Sequence, residues 1–272
     1  MTTEVVHEAT VPAPARRLFD LVADVVAAPR YFATHLYAEI VRTESPELDL
    51  VARWVIDNGS ARGWRLWRTR DTEALVIDFQ HEIPKPPLTR MLGRWSFESL
   101  PAGGTRIRVA HNFDLAPGTD PAAAGKVRQQ LDGNVPGQLV NIGELAERID
   151  LLRRNTVTST RSVRVDAPLA ALATRTAESV ADDTRWTRLQ LPDSSLVFKQ
   201  HAGHDPYLHS STGVFRFTEE GDGTTVHLTR ADTIAVPATA DEIGTARKQL
   251  DAEVRERLAD CARLGPRAAT TG

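Results

Sequence analysis

Cysteine is almost absent from this chain. With Cys261 alone, neither an internal disulfide nor a cysteine-based metal cluster is available. Long apolar runs are missing too. No stretch of eighteen apolar residues occurs, and no basic segment leads into an apolar run after Met1, so neither a membrane span nor a secretory leader is expected. Nor does one sign of charge dominate: 33 Lys and Arg stand against 36 Asp and Glu, with a pI near 6.3, which excludes the basic footprint of a nucleic-acid binder. These absences leave a soluble, cytoplasmic globular protein as the expectation. Its 272 residues suffice for one large domain or two of ordinary size.

What is present is patterned. Glu4 to Val11 alternates as a strand. Ala13-Pro14 opens a helix with proline in its first turn and Leu18, Val22 and Val25 or Val26 on one face, and Pro29 should end it. Pro29 to Tyr37 reads as a second, shorter helix. Alternating runs follow around 38–42, 48–56, 64–70, 75–81, 95–100 and 105–115, with turn signals at Asn58-Gly59, Pro84 to Pro87 and Ala102-Gly103-Gly104. Asp120-Pro121 starts a long helix whose apolar stripe is Leu131, Val135, Leu139, Ile142, Leu145 and Ile149. Gly133, Pro136 and Gly137 predict a kink in its first half. The first 152 residues therefore read as an α+β helix-grip unit, a curved antiparallel sheet wrapped around a long C-terminal helix with a cavity between them.

Residues 153–160 read as a linker, after which the pattern restarts. Val163, Val165 and Ala167-Pro168 echo Val11 and Ala13-Pro14, and Gln80-His81 returns as Gln200-His201. From there to Pro117 and Pro237 nine gapless identities accumulate, where average usage predicts roughly two. The chain is an internal duplication: a second helix-grip unit, incomplete, at 161–265, then a tail at 266–272. The second copy is shorter by a short helix and two strands, lost between about Asp182 and Trp186. A unit so reduced cannot close a full cavity, so the chemistry is expected in the first. Thr239 to Glu242 forms a capping box for the final helix, and Gly265-Pro266 should stop it.

The stretch Gly63 to Asp71, GWRLWRTRD, carries the functional signal. Strand alternation sorts Trp64, Leu66, Arg68 and Arg70 onto one face. Two inward arginines are costly in an ordinary core but suit a cavity that meets a polar ligand. This strand is predicted to be the reactive wall of a pocket.

VPAP opening the first helix, DNG before a W-x-x-x-x-x-R strand, PP after QHE, and GRWSFESLPAGGTRIRV together resemble the bacterial polyketide aromatase/cyclases in their two-domain form, within the START-like helix-grip superfamily. The resemblance covers Glu4 to about Asp150 well and Arg161 to Leu264 weakly. It implies aldol ring closure and dehydration of a poly-β-ketone borne by an acyl carrier protein, with no metal or organic cofactor. By the same resemblance the key arginine falls on Arg70, a serine two residues earlier on Arg68, and the cavity tryptophans on Trp64 and Trp95. Phe32 and Met91 match apolar lining positions. Ala28 stands where tryptophan is frequent, His35 where tyrosine can sit, and Asn141 lies beside the aligned helix position Val140.

In chemical terms, Arg70 suits a developing enolate or alkoxide oxygen, and Arg68 a second ketone. His35 and His111 are the proton-transfer candidates, with Tyr37 a weaker donor. Trp64 and Trp95 could sandwich a nascent ring. The plainer alternatives are arginines paired with Asp57, Asp78 or Glu82, histidines on the rim or in the core, and tryptophans that are core alone. His201, His204 and His209 have no metal-ligand spacing, and no metal site is expected. The expected function is a cofactor-free polyketide cyclase, a pseudo-dimer within one chain that allows a homodimer. A non-catalytic carrier of a hydrophobic small molecule and a purely structural protein are the competing expectations.

Overall fold

Alternation in the first half is realised as seven strands: β1 (Thr3–Val11), β2 (His35–Thr43), β3 (Leu48–Asp57), β4 (Ser60–Asp71), β5 (Val76–His81), β6 (Leu88–Ser99) and β7 (Thr105–Leu115). They pair antiparallel in the order β1-β7-β6-β5-β4-β3-β2. Helices α1 (Ala15–Ala23) and α2 (Ala28–Tyr31) lead from β1 to β2, and α3 (Ala122–Arg154) follows β7. The computed structural model describes residues 2–57, 59–120, 122–180, 184–201 and 203–264. The chain divides into two compact units between Ile149 and Asp150.

Local differences from expectation have local causes. Pro14 takes the extended N-cap position ahead of α1 instead of its first turn, and α1 ends at Ala23, well before Pro29. Pro29 starts α2, which is only four residues long. His35, Leu36 and Tyr37 are strand, because the edge of β3 captures them: His35 lies opposite Val55 and Tyr37 opposite Trp54. α3 continues as helix through Pro136. Val135, Leu139, Ile142, Leu145 and Ile149 are buried as its stripe predicts, each side chain contributing about 1.5–3 kcal/mol, while Leu131 is half-buried. Asn58 and Pro121 lie outside the described residues.

The second unit repeats the plan with five strands: β8 (Thr156–Val165), β9 (Trp186–Gln190), β10 (Leu196–Gln200), β11 (Leu208–Glu220) and β12 (Gly223–Ile234). Their order, β8-β12-β11-β10-β9, is that of β1-β7-β6-β5-β4. Helix α4 (Leu169–Ser179) stands for α1 and α5 (Ala240–Arg263) for α3. The short stretch between Ser179 and Trp186 cannot hold counterparts of α2, β2 and β3, although residues 181–183 within it lie outside the described set. The same latch recurs: Thr105 Oγ1 donates to the Ala13 carbonyl at 2.6 Å, and Thr224 Oγ1 to the Ala167 carbonyl at 2.7 Å. The Thr239–Glu242 capping box is formed. The Gly265-Pro266 stop and the tail lie outside the described residues.

Two expectations are corrected. Residues 153–160 are not a linker. They are the end of α3 and the first half of β8, whose β-branched TVTST run pairs residue by residue with Val157 opposite Asp232 and Ser159 opposite Arg230. Nor is the repeat gapless. Phe79 faces Gly93 across the first sheet, and Phe198 faces Gly213 across the second. Gln200, not His201, therefore occupies the place of His81. Each glycine is required, because a Cβ at Gly93 would overlap the Phe79 ring and one at Gly213 the Phe198 ring. The turn from β6 to β7 is also longer by one residue than that from β11 to β12, so Arg230, opposite Gly213, stands where His111 stands opposite Gly93.

In the first sheet, β3 and β4 bring Asp49 opposite Arg68, Val51 opposite Leu66 and Arg53 opposite Trp64. Asp49 and Arg68 form a bidentate pair, Nε to Oδ1 at 2.9 Å and Nη2 to Oδ2 at 2.8 Å, with the carboxylate 0% and the guanidinium 4% exposed. Arg68 Nη1 also donates to the Ala23 carbonyl at 3.0 Å and so ties the end of α1 to the sheet. Breaking a buried pair from one side strands the other charge. Asp49→Ala is expected to cost about 3–5 kcal/mol in urea unfolding of the first unit. Asp49→Leu combined with Arg68→Met should recover most of that loss, and a loss below about 1 kcal/mol for the single variant would contradict this.

Candidate active site

Within the first unit, three adjoining hollows lie between the sheet and helices α1 and α3. One of about 140 Å³ is lined by Val22, Val25, Val51, Arg53, Trp64, Leu66, Arg68, Ile77, Phe79, His81, Trp95, His111 and Gln138. A second of about 80 Å³ lies against Phe32, His35, Tyr37, Trp95 and Asn141, and a third of about 300 Å³ runs along α3 past Asn134, Gly137, Gln138 and Asn141. Arg53 and Gln138 border all three.

Arg53 is the cation of this chamber. Its Nη2 lies 3.0 Å from His35 Nε2, and its guanidinium sits over the Trp64 ring at 5.2 Å. A guanidinium only donates, so His35 Nε2 accepts and the neutral ring carries its proton on Nδ1. Burial, and secondarily the charge of Arg68, lowers the Arg53 pKa to about 10, which leaves it cationic at neutral pH. Among the described residues no carboxylate pairs with it.

Two imidazoles share the inner hollow. His81 stacks on Trp64 at 6.1 Å, and His111 meets the Phe79 ring edgewise at 5.5 Å. Burial, followed by the charges of Arg53 and Lys85, pushes the His81 pKa down to about 4. Burial, followed by His7 and His81, does the same to His111. Both rings are neutral at neutral pH, and His111 Nδ1 is buried with no hydrogen-bond partner. A chamber with one fixed cation, two neutral imidazoles and aromatic walls can stabilise a developing oxyanion and exchange protons beside it.

The residues expected from sequence fall into three groups. Trp64, Trp95, Phe32, His35, Tyr37, His111 and Asn141 all line the hollows. Phe32 stacks on His35 at 4.8 Å, and the Tyr37 hydroxyl donates to Glu39 at 2.8 Å. Arg68 reaches the inner wall, but Asp49 holds its guanidinium. Arg70 and Met91 are elsewhere. Arg70 shares the inward face of β4, yet it lies past the end of α1 and borders a separate hollow with Asp20, Asp24, Val26 and Ile40. Its Nη2 donates to the Pro46 carbonyl at 2.7 Å and lies 3.3 Å from Asp49. The arginine partner is thus Asp49 and not Asp57, Asp78 or Glu82. Met91 packs with Val5 and Phe113, against Leu131 of α3, in a core cluster.

Arg53, His81 and Gln138 are not among the residues expected from sequence. The signal for Arg53 is nevertheless there. Asp49, Val51, Arg53 and Val55 alternate along β3 as Trp64, Leu66 and Arg68 do along β4, with charges on an otherwise apolar face. His81 carried only the repeat, and Gln138 lies beside the apolar stripe of α3, where an amide looks like ordinary helix surface. Among the described residues, no group of three or more His, Cys, Asp or Glu side chains is placed to hold a metal ion. Among the same residues, no helix is long and apolar enough to cross a membrane.

Comparison with known proteins points to the same unit. The family described as polyketide cyclase / dehydrase and lipid transport matches residues 11–136. The granaticin polyketide synthase bifunctional cyclase/dehydratase of Streptomyces violaceoruber is 35% identical over 145 residues, 52% of this chain and 43% of that protein. Its actinorhodin counterpart from Streptomyces coelicolor is 33% identical over 144 residues, 53% of this chain and 44% of the relative. The chain thus spans less than half the length of these curated relatives. The crystal structure of the di-domain ARO/CYC BexL from the BE-7585A biosynthetic pathway superimposes with a TM-score of 0.70 over 97% of this chain and 99% of that one, at 22% identity. That likeness establishes the two-unit fold. Over residues 11–136 the chain is thus similar to the family described as polyketide cyclase / dehydrase and lipid transport, and it shares the two-unit fold of the di-domain ARO/CYC structure.

Proposed function

We propose that the first unit closes a ring on an open poly-β-ketone chain, presented by an acyl carrier protein, through aldol addition followed by loss of water. The observation that carries this reading is Arg53, a half-buried guanidinium with no carboxylate partner among the described residues, over the Trp64 ring and on the wall of the hollow that His81 and His111 also line. A protein that only carried an apolar molecule would gain nothing from an unpaired, half-buried cation on its cavity wall, which is costly to desolvate. The names of the curated relatives, bifunctional cyclase/dehydratases, support the same reaction class.

In this reading a neutral imidazole, His81 or His111, takes a proton from a methylene flanked by two carbonyls. Arg53 stabilises the enolate oxygen as charge collects there. The enolate carbon bonds to a second carbonyl carbon, whose oxygen takes the proton back from the imidazolium. A further α-proton and the new hydroxyl then leave as water, giving the carbon–carbon double bond. Trp64 and Trp95 flatten the chain against the ring that forms, which is an orientation effect. Arg68 and Asp49 act behind the wall, holding α1 over the chamber.

Arg53→Met should lower kcat for cyclised product by about two to three powers of ten, as loss of an oxyanion donor does. Arg70→Ala should leave kcat within about threefold, since that guanidinium lies outside the chamber. Retained chain uptake with no turnover in the wild type would make the protein a carrier, and full activity in Arg53→Met would reject the mechanism.

The pH profile follows from the same groups. Activity that needs neutral imidazoles and a charged Arg53 should be flat around neutrality and fall toward pH 4 and toward pH 10. For stability the imidazoles are held below their unfolded value near 6.5, so the unfolded chain binds protons first as pH drops. Stability should be full above about pH 6.5 and decline until about pH 4, by a few kcal/mol for the pair. His81→Gln with His111→Gln should flatten that decline in thermal unfolding, and an unchanged slope would reject the assignment.

A further inference from the structure

The largest of the three hollows shares Arg53 and Trp64 with the ring-closing groups and extends away from them. It runs along one face of α3, between Gln130, Asn134, Gly137, Gln138 and Asn141 on the helix and Val55, Asp57, Arg62 and Trp64 on β3 and β4. From Gln130 to Asn141 the helix advances about 16 Å. Four amide side chains recur along that length at three- and four-residue spacing, the spacing that stacks side chains on one face. Among the described residues, none of the four side chains hydrogen-bonds within the protein.

The second unit carries other residues at these helix positions. Asp132 takes His7 at 2.9 Å, and Asp251 takes Arg161 at 2.8 Å, with His7 opposite Val109 and Arg161 opposite Leu228. That fixes the helix alignment, and places Glu253 where Asn134 stands and Arg257 where Gln138 stands. Glu253 bonds across to Arg230, the counterpart of His111, and Arg257 lies over the Phe198 ring at 6.0 Å. There the helix face is tied to its own sheet. In the first unit the same face is uncharged, and a hollow of about 300 Å³ remains beside it.

We propose that this groove is a subsite for a carbonyl-bearing chain continuous with the reacting segment, and that Gly137 with the amides of Asn134 and Gln138 sets how long a chain it accepts. The inference rests on the ring-closing function proposed above. Amides offer donors and acceptors at short intervals, and a hydrocarbon tail would strip their water without replacing it. A chain with repeated carbonyls, either unreacted ketones or the amide-bearing arm of a carrier, answers them. Gly137 sits in the middle of the groove wall, and a Cβ there meets nothing within 4 Å. A larger residue would fit the fold and fill the groove.

The test is Gly137→Leu, with Gly133→Leu as control. Both replace a helical glycine by a better helix former, and a Cβ at Gly133 also meets nothing within 4 Å, but Gly133 does not line the groove. Binding is read by tryptophan fluorescence, using unreactive chains whose reacting methylenes are dimethylated, in a series of increasing ketone number on one short thioester. A second series keeps one ketone number and lengthens the amide arm. In Gly137→Leu the Kd should rise at least about tenfold for the long members of one series and stay within about twofold for the shortest, with Gly133→Leu like wild type. Loss that grows with ketone number assigns the groove to the unreacted ketones, and loss that grows with the arm assigns it to the tether. Equal effects at all lengths, or none, would overturn the subsite. Because the analogues cannot react, wild-type binding without turnover of the reactive chain would defeat the proposed reaction and leave the subsite standing.

Discussion

The Asp49 carboxylate governs the layout of the first unit. It is fully buried, accepts two hydrogen bonds from Arg68 and lies within 3.3 Å of Arg70. One anion thereby absorbs two of the four guanidiniums that β3 and β4 turn inward, and Asp57 takes a third, Arg62, at 3.0 Å. The fourth, Arg53, is left with an imidazole and an indole face for company. A buried charge that is paired holds structure together, and one that is not is available to a ligand. The same ion pair reaches the Ala23 carbonyl, so the helix that roofs the chamber and the strand that lines it are fixed by one contact.

Electrostatics inside the chamber follow from that division. Arg53 stays charged but desolvated, and its field together with burial keeps His81 neutral; His111 is held neutral by burial and by its neighbouring imidazoles. Cation and neutral bases side by side are what enolate chemistry requires, because the base must be free of its proton while the oxygen above it gains negative charge.

The internal duplication supplies a contrast within one chain. Both units keep the sheet order, the threonine latch and the basic-to-acidic tie between first strand and last helix. These features maintain the fold. Among the described residues the second unit has no counterpart of the strand that bears Arg53; it has Gln200 in place of His81, and carries Arg230 bonded to Glu253 where the first has His111 and Asn134. What differs between the copies is therefore the chamber, where the shorter copy ties Arg230 to Glu253, Ser211 and Asp232.

Much of this was legible in the residues alone. Alternation and turn residues indicated the strands of the first unit apart from the start of β2 and the first half of β6, the apolar stripe of α3 determined its buried face, and the spacing of identities revealed the duplication, because each is a local or periodic property of the chain. The inward face of β4 was determined the same way, Trp64, Leu66 and Arg68 included. Tertiary structure alone decided which arginine faces the chamber. Arg70 follows the same alternation, but whether an inward side chain meets a cavity or the space beyond a helix end depends on where α1 stops, and whether it is free depends on a carboxylate on a neighbouring strand. The single-residue slip of β10 was equally invisible, since Gln200-His201 repeats Gln80-His81 by letter while hydrogen-bond register, set across strands, places Phe198 opposite Gly213. Period and propensity act along the chain; charge pairing and cavity shape act across it.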